Sequence, residues 1–245
     1  MTEMKSALVT GASSGIGAAC VRALRASDMK VWAMARRADR LEALAAETGC
    51  IPLIADIQDA EALGAALQGV DPDVLVNNAG LGAGIASLLN ASREDIERTI
   101  GTNVMGLLDL TRLVVPGMIT RGHGHVVTIG SVSGLYPSSS AIYGASKAAV
   151  TMIGRNLRLE LRGTGVRVTD IRPGRVSTEF YDVAIEDPEA AARTKDTGIR
   201  ELAPAEIADA VLYAVMAPAH VNVSAIELQP LEQTYGGVNF DPVQS

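Results

Sequence analysis

Tyr143 and Lys147 stand four positions apart in AIYGASKAAV, a stretch that is otherwise small and almost wholly apolar. On a helix, residues four apart share a face. A phenol beside an ammonium is either a structural pair or an acid with the cation that tunes it. Free tyrosine loses its proton near pH 10, and an adjacent cation stabilises the phenolate and lowers that value. Twelve positions earlier, Ser131 follows an apolar β-rich run, where its hydroxyl could donate to a carbonyl oxygen. Asn103 lies inside a helical pattern. Each residue alone has a plain alternative: a surface pair, a turn serine, a solvent-facing amide. Together they make a proton donor and a group that polarises an oxygen, which is most of what carbonyl reduction requires.

The missing part is a hydride, and a dinucleotide carries one. LVTGASSGIG runs from an apolar strand into a helix with Gly11, Gly15 and Gly17 spaced G-x-x-x-G-x-G, a variant of the commoner dinucleotide fingerprint. Glycines let backbone approach a pyrophosphate, and a helix N-terminus offers free N–H groups and a positive dipole. Ser13 and Ser14 add hydroxyl donors. The end of the next strand reads MARRADR. An NAD site would place Asp or Glu there for the ribose hydroxyls. Ala35, Arg36 and Arg37 stand there instead, and guanidinium matches phosphate geometry. The spacing therefore favours a 2′-phosphate, hence NADP(H).

The elements that must position these groups alternate. Strands are predicted at 6–10, 30–35, 50–55, 73–78, 124–130, 166–173 and 222–228. Helices are predicted at 15–26, 38–48, 59–68, 92–121, 141–162 and 204–216. Ser92 with Asp95 resembles a capping box, Pro204 opens its helix, and Pro116 should kink or end the long one. Seven strands separated by helices imply an α/β class, a Rossmann-type doubly wound, mostly parallel sheet with helices on both faces. No repeat or linker divides the 245 residues, so one domain is expected over 1–245. The segment 176–203 is long, charged and without a strong period, as lids and binding loops are. Residues 229–245 form a C-terminal extension.

Composition narrows the class further. Hydrophobic residues make up 48% and charged ones 20%, enough for a sizeable core. The net charge of −7 and the lack of a basic block argue against nucleic acid. Cys20 and Cys50 lie in apolar patterns and read as reduced core residues. With no secretory signal or membrane-length apolar run, a soluble cytoplasmic protein is expected. His123 and His125 flank the HGH turn without Asp, Glu or Cys neighbours. They read as loop residues, and no metal site is expected.

TGASSGIG (10–17), NNAG (77–80), Asn103 in GTNVMG, Ser131 in IGSVSG, YGASK (143–147) and RPG (172–174) occur in the order and spacing of the short-chain dehydrogenase/reductases, which the whole chain resembles. GTGVRVTDIRPG, STEF, APAHVNVSAIEL and PLEQTYGGVN are similar to the NADP-dependent 3-hydroxy acid dehydrogenases of the serine/3-hydroxyisobutyrate type. Relatives of that subgroup act on sulfoacetaldehyde or malonic semialdehyde. The resemblance implies that Tyr143 is the general acid/base and Lys147 its partner, that Ser131 binds the substrate oxygen, and that Asn103 holds a relay water. It places Ile16 with the glycine loop, Asp56 and Ile57 against adenine, and Asn78, Ala79 and Gly80 along the adenosine and ribose. Pro173, Gly174 and Val176 would lie against the nicotinamide, with Thr178 at its carboxamide. It also implies a homotetramer built through 92–122 and 141–163, and a tail that lets Tyr235 approach a neighbouring pocket. A 3-hydroxy acid substrate needs a cation. Arg175 is the first candidate, with Arg193 and Lys195 behind it. The alternatives are a general carbonyl reductase (ketoacyl, sulfoacetaldehyde, sugar or xenobiotic ketone) and a catalytically silent NADP-binding sensor or scaffold. The intact Asn103, Ser131, Tyr143 and Lys147 set disfavours the last.

Overall fold

Strand β1 (Ser6–Thr10) sends Ala7 and Val9 to one face and Leu8 to the other, and all three are fully buried. Such a strand is covered on both sides, which is why it reads as a continuous apolar run. The same division continues along the sheet. Val31, Ala33, Val74 and Val76 pack with Ala7 and Val9 on one face, and Trp32, Met34, Leu75 and Val126 pack with Leu8 on the other. The computed structural model describes residues 5–83, 87–137, 140–185, 187–234 and 240.

Seven parallel strands lie in the order β3-β2-β1-β4-β5-β6-β7. They are β1, β2 (Lys30–Ala35), β3 (Ile51–Ile54), β4 (Val74–Asn77), β5 (Gly124–Ile129), β6 (Val166–Pro173) and β7 (Ala225–Leu228). Helices α1 (Gly15–Ala26), α2 (Ala38–Thr48) and α9 (Pro204–Met216) contribute to one core layer. Helices α3 (Ala60–Ala66), α5 (Leu107–Arg121) and α6 (Ala141–Glu160) flank the other. The chain runs outward in opposite directions from β1, to β2 on one side and β4 on the other. The carboxyl ends of those strands therefore open onto a crevice, the usual ligand position in such sheets.

The long helix expected at 92–121 is present but not uniform. It comprises α4 (Arg93–Ile100), a π-helical turn at Gly101–Gly106 that carries Asn103, and α5. Ser92 and Asp95 form the reciprocal cap, with Asp95 N–H donating to Ser92 Oγ at 3.0 Å and Ser92 N–H to Asp95 Oδ2 at 3.1 Å. Pro116 does not end the helix; it sits on the exposed side, where the carbonyl it cannot serve faces water. The end comes at Gly122, at φ 73°. Strand β7 starts later than expected because the side-chain amide of Asn222 takes its place. Asn222 Oδ1 accepts from Val168 N–H at 2.9 Å, and Nδ2 donates to Val168 O at 3.1 Å. Within 176–203 two short helices form, α7 (Phe180–Ala184) and α8 (Pro188–Lys195), the latter capped by Asp187. His125 corrects the reading of both histidines as loop residues. It lies inside β5, fully buried, with Nε2 2.7 Å from Thr169 Oγ1, and burial and then the charge of Arg167 lower its pKa to about 3.

Candidate active site

A cleft of about 540 Å³ crosses the carboxyl ends of the strands, in the size range of small-molecule sites. Its floor is the turn after β1, locked to the turn after β4. Asn78 Nδ2 donates to Thr10 O at 2.8 Å, and Thr10 Oγ1 accepts the N–H groups of Asn78 and Ala79, each at 3.0 Å. This packing explains two of the glycines. A Cβ on Gly11 (φ 64°) would lie 2.8 Å from Asn78 Nδ2, and one on Gly17 would overlap the carbonyl oxygen of Gly11. Those two glycines serve backbone-on-backbone contact. Gly15 (φ 51°) is the one that faces across the cleft, towards Thr178. Helix α1 begins there, with Ser13, Ser14 and Ile16 on the rim.

Arg36 and Arg37 line the far end with Asp56 and Ile57. Arg37 bonds the loop serines, Nη2 donating to Ser13 Oγ at 2.9 Å and to Ser14 Oγ at 2.8 Å. Arg36 Nη1 is 3.4 Å from Asp56 Oδ2 and remains largely exposed. Two guanidiniums and two hydroxyls thus converge beside a helix N-terminus. That donor set fits a phosphate on an adenosine ribose.

The other end holds the expected constellation. Helix α6 begins at Ser140, whose Oγ accepts Tyr143 N–H at 3.3 Å, and places Tyr143 and Lys147 on the face towards β5. Ser131 follows β5 and lies beside the Tyr143 phenol in the same cleft, its Oγ accepting Ser133 N–H at 3.1 Å. Burial pushes that phenol above its ordinary range, Ser131 draws it back, and nearby Tyr181 adds to the rise. Lys147 is buried, its Nζ donating to Ile129 O at 2.7 Å and lying 5.8 Å from the Tyr143 ring centroid. Desolvation lowers its pKa to about 8, against the opposing pull of Asp170. Asn103 is buried in the π-helical turn, and its amide is committed: Nδ2 donates to Leu81 O (2.8 Å) and Ser146 Oγ (2.9 Å), and Oδ1 accepts Leu81 N–H (2.8 Å). It fastens the turn after β4 to α6. Gly80, in that turn, faces both Asn103 Oδ1 and Lys147 Nζ.

Pro173, Gly174, Val176 and Thr178 wall the cleft opposite, beside Phe180 and Tyr181. Phe180 leans on the Tyr143 ring, with centroids 5.2 Å apart, and Tyr181 meets Phe180 edge-on at 5.2 Å. Arg175 stacks on Tyr181 at 4.0 Å. Its guanidinium is not a free cation, contrary to the expectation for a substrate carboxylate. Nε donates to Glu201 Oε1 and Nη2 to Thr194 O, each at 2.6 Å, and the side chain is 4% exposed. Lys195 pairs with Asp182 at 2.7 Å; Arg193, 69% exposed, lies 3.7 Å from Glu189. Neither lines the cleft. The tail contributes Gln233, which accepts Arg175 N–H at 2.8 Å; Tyr235 lies outside the described residues. Leu81, Arg98, Glu179, Phe180, Tyr181 and Gln233 line the cleft without having been singled out from sequence. Phe180 and Tyr181 had a signal, two adjacent aromatics in a chain with only 3%.

Known proteins resemble this chain in sequence and fold. The model of the short chain dehydrogenase family matches residues 5–189. The NADP-dependent 3-hydroxy acid dehydrogenase YdfG of Escherichia coli (strain K12) is 41% identical over 241 residues, covering 95% of this chain and 97% of that protein. A probable NADP-dependent dehydrogenase of Haemophilus influenzae is 38% identical over 244 residues, 96% of each chain. The closed form of a serine dehydrogenase complexed with NADP+ superposes with a TM-score of 0.90 at 39% identity, covering 94% of this chain and 96% of that one. The family model, the identity over nearly the whole chain and the shared fold lead to one conclusion: the chain belongs to the short-chain dehydrogenase family.

Proposed function

We propose that this chain is an NADP-dependent oxidoreductase that interconverts a small 3-hydroxy acid and its semialdehyde or ketone. The observation that carries the reading is the convergence of Ser131, Tyr143 and Lys147 at one end of a cleft whose other end carries Arg36 and Arg37. NADP(H), when bound, supplies or accepts the hydride and, oxidised, brings a positive charge. Ser131 Oγ orients and polarises the substrate oxygen. Tyr143 Oη, held protonated by burial, delivers its proton to that oxygen in reduction and recovers it in oxidation. Lys147 lies close enough to favour the phenolate that remains. Asn103 holds the turn after β4 against α6, so a relay water at that point would rest on its backbone. Asn78, Ala79, Gly80, Val176 and Thr178 bind and orient the dinucleotide, and Phe180 excludes water from the Tyr143 ring.

The acid specificity rests on the similarity to a 3-hydroxy acid dehydrogenase and a serine dehydrogenase. A neutral-carbonyl reductase is the second reading, favoured by the pairing of Arg175 with Glu201. Oxidation of L-serine, 3-hydroxyisobutyrate and 3-hydroxypropionate by NADP+ at alkaline pH, against matched neutral alcohols, separates the two. Preference for the acids supports the first reading; equal rates refute an acid-specific pocket. For the cofactor, Arg36→Asp with Arg37→Ala should weaken NADPH relative to NADH by about 1–3 kcal/mol; an unchanged ratio would refute the phosphate site.

The reading includes one domain, with 176–203 as substrate lid, and a homotetramer in the cytoplasm. Exposed Met105, Leu108 and Leu113 on the π-helical turn and α5, with Met152 and Leu159 on α6, form apolar faces suited to partner helices. Among the described residues no helix is long and apolar enough to cross a membrane, and Cys20 and Cys50 are buried and unpaired.

A further inference from the structure

Glu179 stands at the start of the lid, between Thr178 and Phe180, yet its carboxylate reaches across the cleft to α2. Arg40 Nη1 donates to Glu179 Oε2 at 2.7 Å and to Oε1 at 3.0 Å, and Arg37 Nη1 lies 3.4 Å from Oε2. The same Arg37 bonds Ser13 and Ser14 and belongs to the pair assigned to the 2′-phosphate. Glu179 lines the same cleft as Arg36 and Arg37. A carboxylate already satisfying that guanidinium competes with a dianion for it, and it repels the dianion at close range. A dinucleotide without the 2′-phosphate makes no such demand.

We propose that Glu179 sets cofactor discrimination: it clasps Arg37 and Arg40 from the lid side and must surrender Arg37 when a 2′-phosphate binds. The proposal rests on the reading of Arg36 and Arg37 as the phosphate site. It makes the free energy of NADP binding depend on a lid residue that touches no part of the hydride or proton transfer. It also ties the lid to α2, because Glu179 is followed directly by α7 and by Phe180, which rests on Tyr143.

The test compares the full-length protein with Glu179→Gln and with the Arg36→Asp/Arg37→Ala double variant. Dissociation constants for NADPH and NADH are measured at low ionic strength, and amide exchange over 176–185 is measured without cofactor. Glu179→Gln should tighten NADPH about two- to fivefold, the scale of one exposed ion pair, and leave NADH nearly unchanged. The gain should shrink in high salt, and exchange over 176–185 should rise. An NADPH affinity that is unchanged or weaker, or an equal change for NADH, would overturn the proposal. The double variant isolates the underlying reading: if it lowers NADPH preference while Glu179→Gln does not raise it, the clasp fails and the phosphate site stands.

Discussion

The two walls of the cleft are made differently. The wall at the carboxyl ends of β1 and β4 is backbone against backbone: Gly11, Gly17, Asn78 and Ala79 touch with no room for a methyl group, and Thr10 satisfies the turn amides. The wall after β6 is made of side chains, with Arg175 on Glu201, Glu179 on Arg40 and Phe180 on Tyr143. A backbone cradle has one geometry and suits a cofactor that never changes. The wall after β6 mixes a buried pair, Arg175–Glu201, which anchors it, with an exposed one, Glu179–Arg40, which contributes little and can yield at small cost.

That contrast can be broken by comparing substitutions across the two walls. A single methyl in the cradle should cost most: Gly17→Ala should lower stability by about 3 kcal/mol, the upper end of overpacking, and abolish NADPH binding. A urea midpoint within error of the parent would show that the cradle yields. Arg175→Met should cost about 2 kcal/mol, since Glu201 and the Thr194 carbonyl lose a buried donor. It should raise KM for the substrate and leave NADPH affinity unchanged. A weaker NADPH affinity would mean that Arg175, like Glu179, acts on the cofactor.

Lys147→Met should do the reverse of both at neutral pH. The folded pKa of Lys147 lies near 8, below its unfolded value of 10.5, so its charge costs stability at all pH below about 8. That cost is relieved as pH rises from about 8 towards 10.5. The variant should therefore be about 1–2 kcal/mol more stable at pH 7, with the gap closing by pH 10, while turnover is lost. A gap independent of pH would contradict the desolvation. Smallest of all, Arg193→Ala should change stability by less than about 0.5 kcal/mol and leave both KM values alone.

The cradle is far more legible in the sequence than the segment 176–203, for a physical reason. Parallel strands buried on both faces write continuous apolar runs, and close approach writes glycine, so β1, α1 and the Gly11–Gly17 loop were visible directly. The pairing partners of charged residues are not written locally. Arg175 read as a free cation because Glu201 is 26 positions away, and Glu179 gave no sign of Arg40, 139 positions off. Asn222 shortened β7 by imitating backbone, which a propensity reading takes for strand. His125 read as a loop residue beside Gly124 although the strand predicted at 124–130 includes it; in the core, Thr169 satisfies one of its ring nitrogens. Asp187 followed by Pro188 is a helix start that the charge around it obscured.

The central claim, that Tyr143 moves the proton at a site assembled independently of it, is tested most directly by Tyr143→Phe. The measurement pairs NADPH dissociation with turnover on the best substrate from the hydroxy-acid panel. NADPH affinity should stay within about twofold of the parent, and turnover should fall by about 10²–10⁴. Turnover equal to the parent's, with cofactor bound, would contradict it.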